Sequence, residues 1–194
     1  MGSADSALNQ TPPALSQPVI SVFGSSRCTE ASDLYQLTRG LGDAIARAGF
    51  AVATGGYGGV MEAVSRGAAE SGGIVIGVVD HAGRSKANQW LSERIVVETW
   101  QQRLHMLMDL GDGYVVCQGG TGTLVELAVA WEILCKGVVA HRPLVALGEF
   151  WNPVLDLIAS AEDGCGSEGL VRVAVTIPEA MEVLTKGLSH CWEG

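Results

Sequence analysis

Short apolar runs alternate with longer helical segments from Val19 onward, and this alternation restricts the fold more than any other feature. Such alternation is typical of a parallel sheet that is covered by helices on both faces. The apolar runs predict strands at 19–23, 51–54, 74–79, 94–98, 114–117, 143–147 and 172–176, and the intervening segments predict helices at 32–48, 59–71, 100–110, 123–136, 151–161 and 178–187. We therefore expect one Rossmann-like, doubly wound α/β domain with a mainly parallel sheet of about seven strands.

Composition and charge narrow the class of protein further. With 194 residues, 47% of them hydrophobic and 17% charged, the chain fits one compact domain at 18–194, preceded by a flexible tail at 1–17. The tail has no signal-peptide pattern, no segment has the roughly 20 apolar residues of a membrane span, and the five cysteines form no CxxC pair. We expect a cytoplasmic protein without a membrane association. The net charge of −9 argues against a nucleic-acid partner.

Three glycine-bearing turns follow predicted strand ends. They are Gly24-Ser25-Ser26-Arg27, Gly55-Gly56-Tyr57-Gly58-Gly59 and Gly119-Gly120-Thr121-Gly122-Thr123. In a doubly wound fold, all three lie at the edge where the carboxyl ends of the strands meet and ligands bind. Glycines let backbone N–H groups approach an anion, and a helix N-terminus adds positive potential. The turns therefore predict a phosphate site.

These turns do not match the best-known cofactor motifs. Met61 stands where the dinucleotide fingerprint would place its third glycine after Gly56 and Gly58, and the chain has no GxxxxGK[ST] sequence. A pyridoxal phosphate enzyme needs a lysine for its Schiff base, and two of the three lysines, Lys136 and Lys186, precede glycines at predicted helix ends. The histidines lack metal-ligand spacing. We predict no cofactor and no metal.

The segment from Gly119 to Glu126 resembles the PGGxGTxxE motif of the LOG family, the cytokinin riboside 5′-monophosphate phosphoribohydrolases long labelled "lysine decarboxylases". Arg103 stands at the arginine of that family's RK motif, residues 55–61 resemble its GGGxxGLM segment, and residues 22–26 resemble its first strand and turn. The sequence departs from the family pattern at four positions. These are Thr54, Glu62, Leu104 and Gln118, of which Gln118 replaces the motif proline.

The resemblance implies an N-glycosidic-bond hydrolase that cleaves AMP or N6-modified AMP into free base and ribose 5-phosphate, and not a lysine decarboxylase. It implies that Arg103 and Glu126 are catalytic, because cleavage generates an oxocarbenium-like ribose that a carboxylate can stabilise. The phosphate and nucleotide are expected to bind Gly24, Ser25, Gly56, Gly119, Gly120, Thr121, Gly122 and Thr123. The resemblance also implies a homodimer or a larger oligomer.

Two questions stay open at the level of sequence. Thr123 and Glu126 have the S/T-x-x-E spacing of a capping box, in which Glu126 would bind the Thr123 amide instead of a ligand. Proteins of the same fold also resemble molybdenum cofactor carriers and nucleotide sensors, so a binding protein without catalysis is the alternative function. We expect Trp100 and Trp131 to lie in the core or an interface, and His105 to point away from Arg103.

Overall fold

The computed structural model describes residues 15–81, 86–139, 141–161 and 169–189. Seven strands within these residues form one sheet. They are β1 (Val19–Phe23), β2 (Ala51–Thr54), β3 (Val75–Asp80), β4 (Glu93–Val97), β5 (Gly113–Val116), β6 (Leu144–Leu147) and β7 (Val171–Ala174). All neighbouring strands pair in parallel, in the order β4-β3-β2-β1-β5-β6-β7. The prediction of a parallel, doubly wound sheet is confirmed.

Six helices among the described residues cover the two faces of the sheet. They are α1 (Asp33–Arg47), α2 (Val60–Glu70), α3 (Trp100–Leu110), α4 (Thr121–Cys135), α5 (Asn152–Ala161) and α6 (Ile177–Ser189). Alternate residues of β1 explain the two-sided core: Ile20 and Val22 pack in a cluster with α1, α2 and α6, whereas Val19 and Phe23 pack in a cluster with α3, α4 and α5. None of these helices is long and apolar enough to cross a bilayer.

The strand order reverses between β1 and β5. The chain moves outward from β1 through β2, β3 and β4, then returns to place β5 on the other side of β1. Because Phe23 pairs with Val116, the carboxyl ends of these two strands lie side by side. Open α/β sheets bind ligands in the crevice at such a reversal. Two of the three glycine-bearing turns, those after β1 and β5, lie there.

The start of α4 differs from the prediction. The helix begins at Thr121, with Gly120 as its N-cap, rather than at Thr123. Thr123 is therefore the third helical residue, and the capping-box interpretation of Glu126 is wrong. Other helices do use side-chain caps: Thr99 and Gln102 form a complete capping box at the start of α3.

Some predictions concern residues outside the described part of the chain. They include residues 1–14 of the predicted tail, together with Cys165, His190 and Cys191. Leu15, which was assigned to the same tail, packs against the core cluster beside α3, α4 and α5.

Candidate active site

An open cleft of ≈ 690 Å³ lies at the carboxyl ends of β1 and β5. This volume is within the usual range for small-molecule sites. Its lining residues come from the turns after β1, β2 and β5 and from helices α1 to α4. They are Gly24, Ser25, Ser26, Arg27, Leu34, Tyr57, Met61, Trp100, Arg103, Gln118, Gly119, Gly120, Thr121, Gly122, Thr123 and Glu126. The structure thus brings together nine of the ten predicted site residues. Gly56 is the exception.

The turn after β5 opens directly into α4. The first turn of a helix leaves its amide groups without intrahelical partners, and here those amides belong to residues 120–123. A β-carbon at Gly120 or Gly122 would meet no atom within 4 Å, so both backbones are open to the cleft. Gly119 differs, because a β-carbon there would overlap the side chain of Thr123, which is 4% exposed. The turn can therefore present several N–H donors to one anion.

The turn after β1 is fixed to both of its neighbours. The Ser25 amide donates to the Gln118 carbonyl at 3.0 Å, and the Ser25 carbonyl accepts from the Val60 amide at 2.8 Å. The Ser25 hydroxyl accepts from the Arg27 amide at 3.1 Å. A β-carbon at Gly24 would come within 2.6 Å of Val60 Cγ1, so only glycine allows this close approach. Ser25 is consequently held at the cleft by hydrogen bonds on both sides.

Gly56 supports the cleft from outside it. Its amide donates to Thr54 Oγ1 at 3.1 Å, and its carbonyl accepts from the Asn88 amide at 2.8 Å. Its φ of 74° lies in the left-handed region that favours glycine. The structure therefore uses Gly56 to shape the loop that carries Tyr57, and its amide is already engaged within the protein.

Arg103 projects from α3 into the wall of the cleft and is only 8% exposed. Its Nε donates to the Val78 carbonyl at 2.9 Å, and its guanidinium carbon lies 5.3 Å from the centre of the Tyr57 ring. A β-carbon at Gly55 would overlap Arg103 Nη2, so this glycine makes room for the guanidinium. A buried cation held by a carbonyl and a ring retains donors for an anionic ligand.

Glu126 lies on α4, lines the same cleft as the β1 turn and is partly buried. Burial raises the pKa of its carboxyl from 4.5 to about 7, although the positive charge of Arg103 acts in the opposite direction. No ion pair joins the two described side chains. The carboxyl therefore titrates near neutral pH, which suits a group that exchanges a proton during catalysis.

The structure also contributes residues that the sequence analysis did not select. Tyr57, Met61 and Leu34 line the cleft, and Met61 and Leu34 also contribute to the protein interior. Trp100 lines the cleft and is 47% exposed, so of the two expected locations, core or interface, the core is excluded. Its spacing of three residues from Arg103 could have indicated this, because such residues share a helix face. His105 is exposed and does not line the cleft.

The fold and the cleft define a Rossmann-like α/β protein whose candidate site lies at the strand-order reversal. Residues 17–152 match the model of the SLOG cluster4 family, and the chain belongs to this family. This match includes the turns after β1, β2 and β5, and it agrees with the resemblance to the LOG family that the motifs indicated.

Curated relatives carry related names. The chain is 34% identical over 168 residues to a cytokinin riboside 5′-monophosphate phosphoribohydrolase of Mycobacterium tuberculosis, covering 85% of each chain. It is 31% identical to a protein of the same name from Rhodococcoides fascians, covering 73% of this chain and 74% of the relative. An uncharacterized protein of Archaeoglobus fulgidus is 32% identical over 66% of this chain and 82% of its own length.

Solved structures with the same fold carry a different name. The molybdenum cofactor carrier protein of Chlamydomonas reinhardtii superposes with a TM-score of 0.72 at 26% identity, over 89% of this chain and 99% of that chain. The molybdenum cofactor binding protein of Rippkaea orientalis has a TM-score of 0.74 at 24% identity, over 89% and 98%. The latter likeness establishes the fold alone.

Proposed function

We propose that this protein is a nucleoside 5′-monophosphate phosphoribohydrolase that cleaves the N-glycosidic bond of AMP or of an N6-modified AMP. One observation carries the proposal: Glu126, with a pKa of about 7, and the buried Arg103 line the same cleft as the open N-terminus of α4. This combination supplies an anion site, a cation and a titrating carboxylate around one ligand. The names of the relatives support the same reaction.

The phosphate is assigned to the turn after β5. The free amides of residues 120–123 and the exposed hydroxyl of Thr121 offer donors to its oxygens, and Ser25 approaches from the β1 turn. Gln118, which replaces the family's proline, uses its backbone carbonyl to hold Ser25. Proline would supply rigidity at this position but no donor, so the anion site does not depend on it.

The glycosidic bond is assigned to the region between Arg103 and Glu126. As the bond between C1′ and the base nitrogen breaks, positive charge develops on the ribose, and the Glu126 carboxylate stabilises it. The C1′–N bond breaks with its electron pair on the base nitrogen, and Glu126 accepts a proton from the water whose oxygen bonds to C1′. That proton then passes from Glu126 to the departing base, which regenerates the carboxylate. The Arg103 guanidinium binds the phosphate of the substrate or orients the Glu126 carboxylate.

A molybdenum cofactor carrier is the second candidate function. The observation that favours it is the fold match to the Chlamydomonas carrier, which extends over 99% of that chain at 26% identity. A carrier needs the same glycine turns for an anionic ligand, but it has no need of a carboxylate that titrates near neutral pH. The pKa of Glu126 therefore favours the enzyme.

A direct assay separates the two candidates. Purified protein is incubated with AMP and with N6-isopentenyl-AMP, and free base is measured by chromatography for the wild type, Glu126→Gln and Glu93→Gln. Glu93 is a matched control, because it is an exposed glutamate at the start of β4. It therefore lies at the amino ends of the parallel strands, whereas the cleft lies at their carboxyl ends. We expect base release that Glu126→Gln reduces by at least about 100-fold and Glu93→Gln leaves intact. Nucleotide binding without base release would favour the carrier.

We also propose a homodimer that forms through α4 and α5. The groove between these helices is lined by Leu124, Leu127, Ala128, Trp131, Glu132, Cys135, Val154 and Ile158. Helix α5 has no fully buried residue, and Leu157 on it is 66% exposed. An apolar surface of this kind is unfavourable in water unless another surface covers it, and a second copy offers the same apolar groove in return.

A further inference from the structure

We propose that the indole of Trp100 is the stacking platform for the nucleobase, so that the cleft selects nucleotides by the area of their base. The inference rests on the proposed function for the identity of the ligand. It assigns a base-binding role to a residue that neither the glycine turns nor the Arg103 and Glu126 pair require.

The exposure of Trp100 is the first argument. Its side chain is 47% exposed and lines the cleft, whereas Trp151, which closes the core beside α5, is 4% exposed. Leaving a large indole in water forgoes a sizeable part of the free energy that its burial would contribute. An aromatic surface of this size at a polar cleft is typical of a ligand contact.

The position of Trp100 relative to Arg103 is the second argument. The two residues are three apart on α3 and therefore lie on the same helix face. Arg103 is 8% exposed and Trp100 is 47% exposed, so the cation lies deep in the wall and the indole lies nearer the mouth. A nucleotide with its ribose beside Arg103 and Glu126 would extend its base toward Trp100.

The backbone of Trp100 is ordered before any ligand binds. Thr99 is the N-cap of α3, and its hydroxyl accepts from the Gln102 amide at 3.2 Å. The Gln102 side chain returns the interaction, accepting from the Thr99 amide at 3.0 Å and from the Glu98 amide at 2.9 Å. Because the backbone at Trp100 is already ordered, ligand binding has to restrict only the rotation of its side chain.

Stacking on an indole has a defined chemical consequence. Every base offers a π-face, so stacking tolerates different bases but strengthens with ring area. We therefore expect tighter binding of purine than of pyrimidine monophosphates. Substituents on the edge of the base, such as an N6 group, do not interfere with the stacked face.

The test compares two ligands that differ only in the base. Dissociation constants of AMP and ribose 5-phosphate are measured by calorimetry for Glu126→Gln, which is expected not to turn AMP over during the titration, alone and combined with Trp100→Ala, Trp100→Phe or Phe150→Ala. Phe150 is a matched control, because it is 48% exposed but does not line the cleft. We expect Trp100→Ala to weaken AMP by about 10-fold and ribose 5-phosphate by less than about 2-fold. Trp100→Phe, which keeps a planar ring, should retain most of the AMP affinity.

Each alternative outcome has a defined meaning. Unchanged AMP affinity in Trp100→Ala, or equal losses for AMP and ribose 5-phosphate, would overturn the stacking role. A shift of Trp100→Ala to a monomer in gel filtration, with ligand affinity intact, would also overturn it and assign the indole to an interface. If the wild type binds AMP but releases no base, the proposed hydrolase fails, yet the same affinities still decide the role of Trp100.

Discussion

At the scale of single residues, we expect the ionisation of Glu126 to affect both activity and stability. Its pKa of about 7 results from burial, against which the charge of Arg103 acts only in part. A carboxylate that must accept a proton is active only when it is ionised. We therefore expect kcat/KM for AMP to rise with pH through about 7 and to level off above it, and the measurement is a rate profile between pH 5.5 and 8.5. A phosphate also ionises near pH 6, so the profile is compared with that of AMP binding to Glu126→Gln, which reports the phosphate alone. A kcat/KM profile that is flat across neutral pH would contradict the assignment.

The same ionisation predicts the effect of Glu126→Gln on stability. Because the folded-state pKa is raised above 4.5, the native state holds a proton that the unfolded state has released, and stability is lost as pH rises from 4.5 through 7. Glutamine does not ionise. We expect Glu126→Gln to increase the free energy of unfolding by about 1–2 kcal/mol at pH 8, a value discounted for partial solvent access, and to show no such pH-dependent gain at pH 4. Thermal melts at both pH values check this, and a gain that is equal at both would contradict it.

Gly55 gives an independent test of Arg103. A β-carbon at Gly55 would overlap Arg103 Nη2, so Gly55→Ala should force the guanidinium out of its place between Tyr57 and Val78. We expect a loss of kcat/KM on the order of 100-fold. The measurement is a double-mutant cycle with Arg103→Ala, in which the second substitution should add little to the first. Additive losses would mean that Gly55 acts by another route.

At the scale of elements, the turn before α2 requires glycine at position 59 for two reasons, its backbone conformation and its lack of space for a β-carbon. Gly59 has a φ of 69°, and a β-carbon there would also overlap the Ser25 carbonyl. Gly72 has a φ of 76° but open space around it. We expect Gly72→Ala to cost about 1 kcal/mol through backbone strain, and Gly59→Ala to cost on the order of 3 kcal/mol because it also displaces the β1 turn. Denaturant unfolding measures both, and equal costs would show that the Ser25 contact is unimportant.

The elements were largely predictable from sequence, because hydrophobic periodicity determines which segments become strands and helices. Helix α3 was predicted at its observed bounds, and the alternation of elements indicated the parallel sheet. The start of α4 was not predictable from local preference. Thr123 resembles an N-cap residue, but the turn continues the helix back to Thr121, with Gly120 as the cap. The buried side chain of Thr123 lies against Gly119, where a β-carbon would overlap it, and it does not cap the helix.

The sequence predicted which residues form the candidate site but not how they are arranged in it. Glycine turns at strand ends indicated the cleft, since the fold class places those ends together. The outward position of Trp100 and the internal role of Gly56 depend on how α3 and the loop after β2 pack, which no local pattern encodes. The titration of Glu126 near pH 7 likewise depends on burial by neighbouring elements.

At the scale of the whole molecule, the two faces of the protein differ in what they leave exposed. Helices α1 and α2 carry ion pairs on their outer surface, such as Arg39 with Glu70 at 2.7 Å. Helix α4 has apolar residues around its circumference, and only three of its residues are fully buried. This difference in apolar surface supports the proposal that a second copy covers α4 and α5.

Two leucines of equal exposure lie on opposite sides of the sheet and allow the proposed dimer interface to be tested. Leu124 lines the groove between α4 and α5, Leu37 lies on α1, and each is 38% exposed. An aspartate at 124 would bring two like charges into the apolar interface of a symmetric dimer, which is strongly unfavourable, whereas an aspartate at 37 would remain in water. We expect Leu124→Asp to be monomeric and Leu37→Asp to be dimeric in sedimentation experiments, with both variants showing cooperative thermal unfolding. A dimer that survives Leu124→Asp but not Leu37→Asp would place the interface on the opposite face, and a monomeric wild type would exclude the dimer altogether.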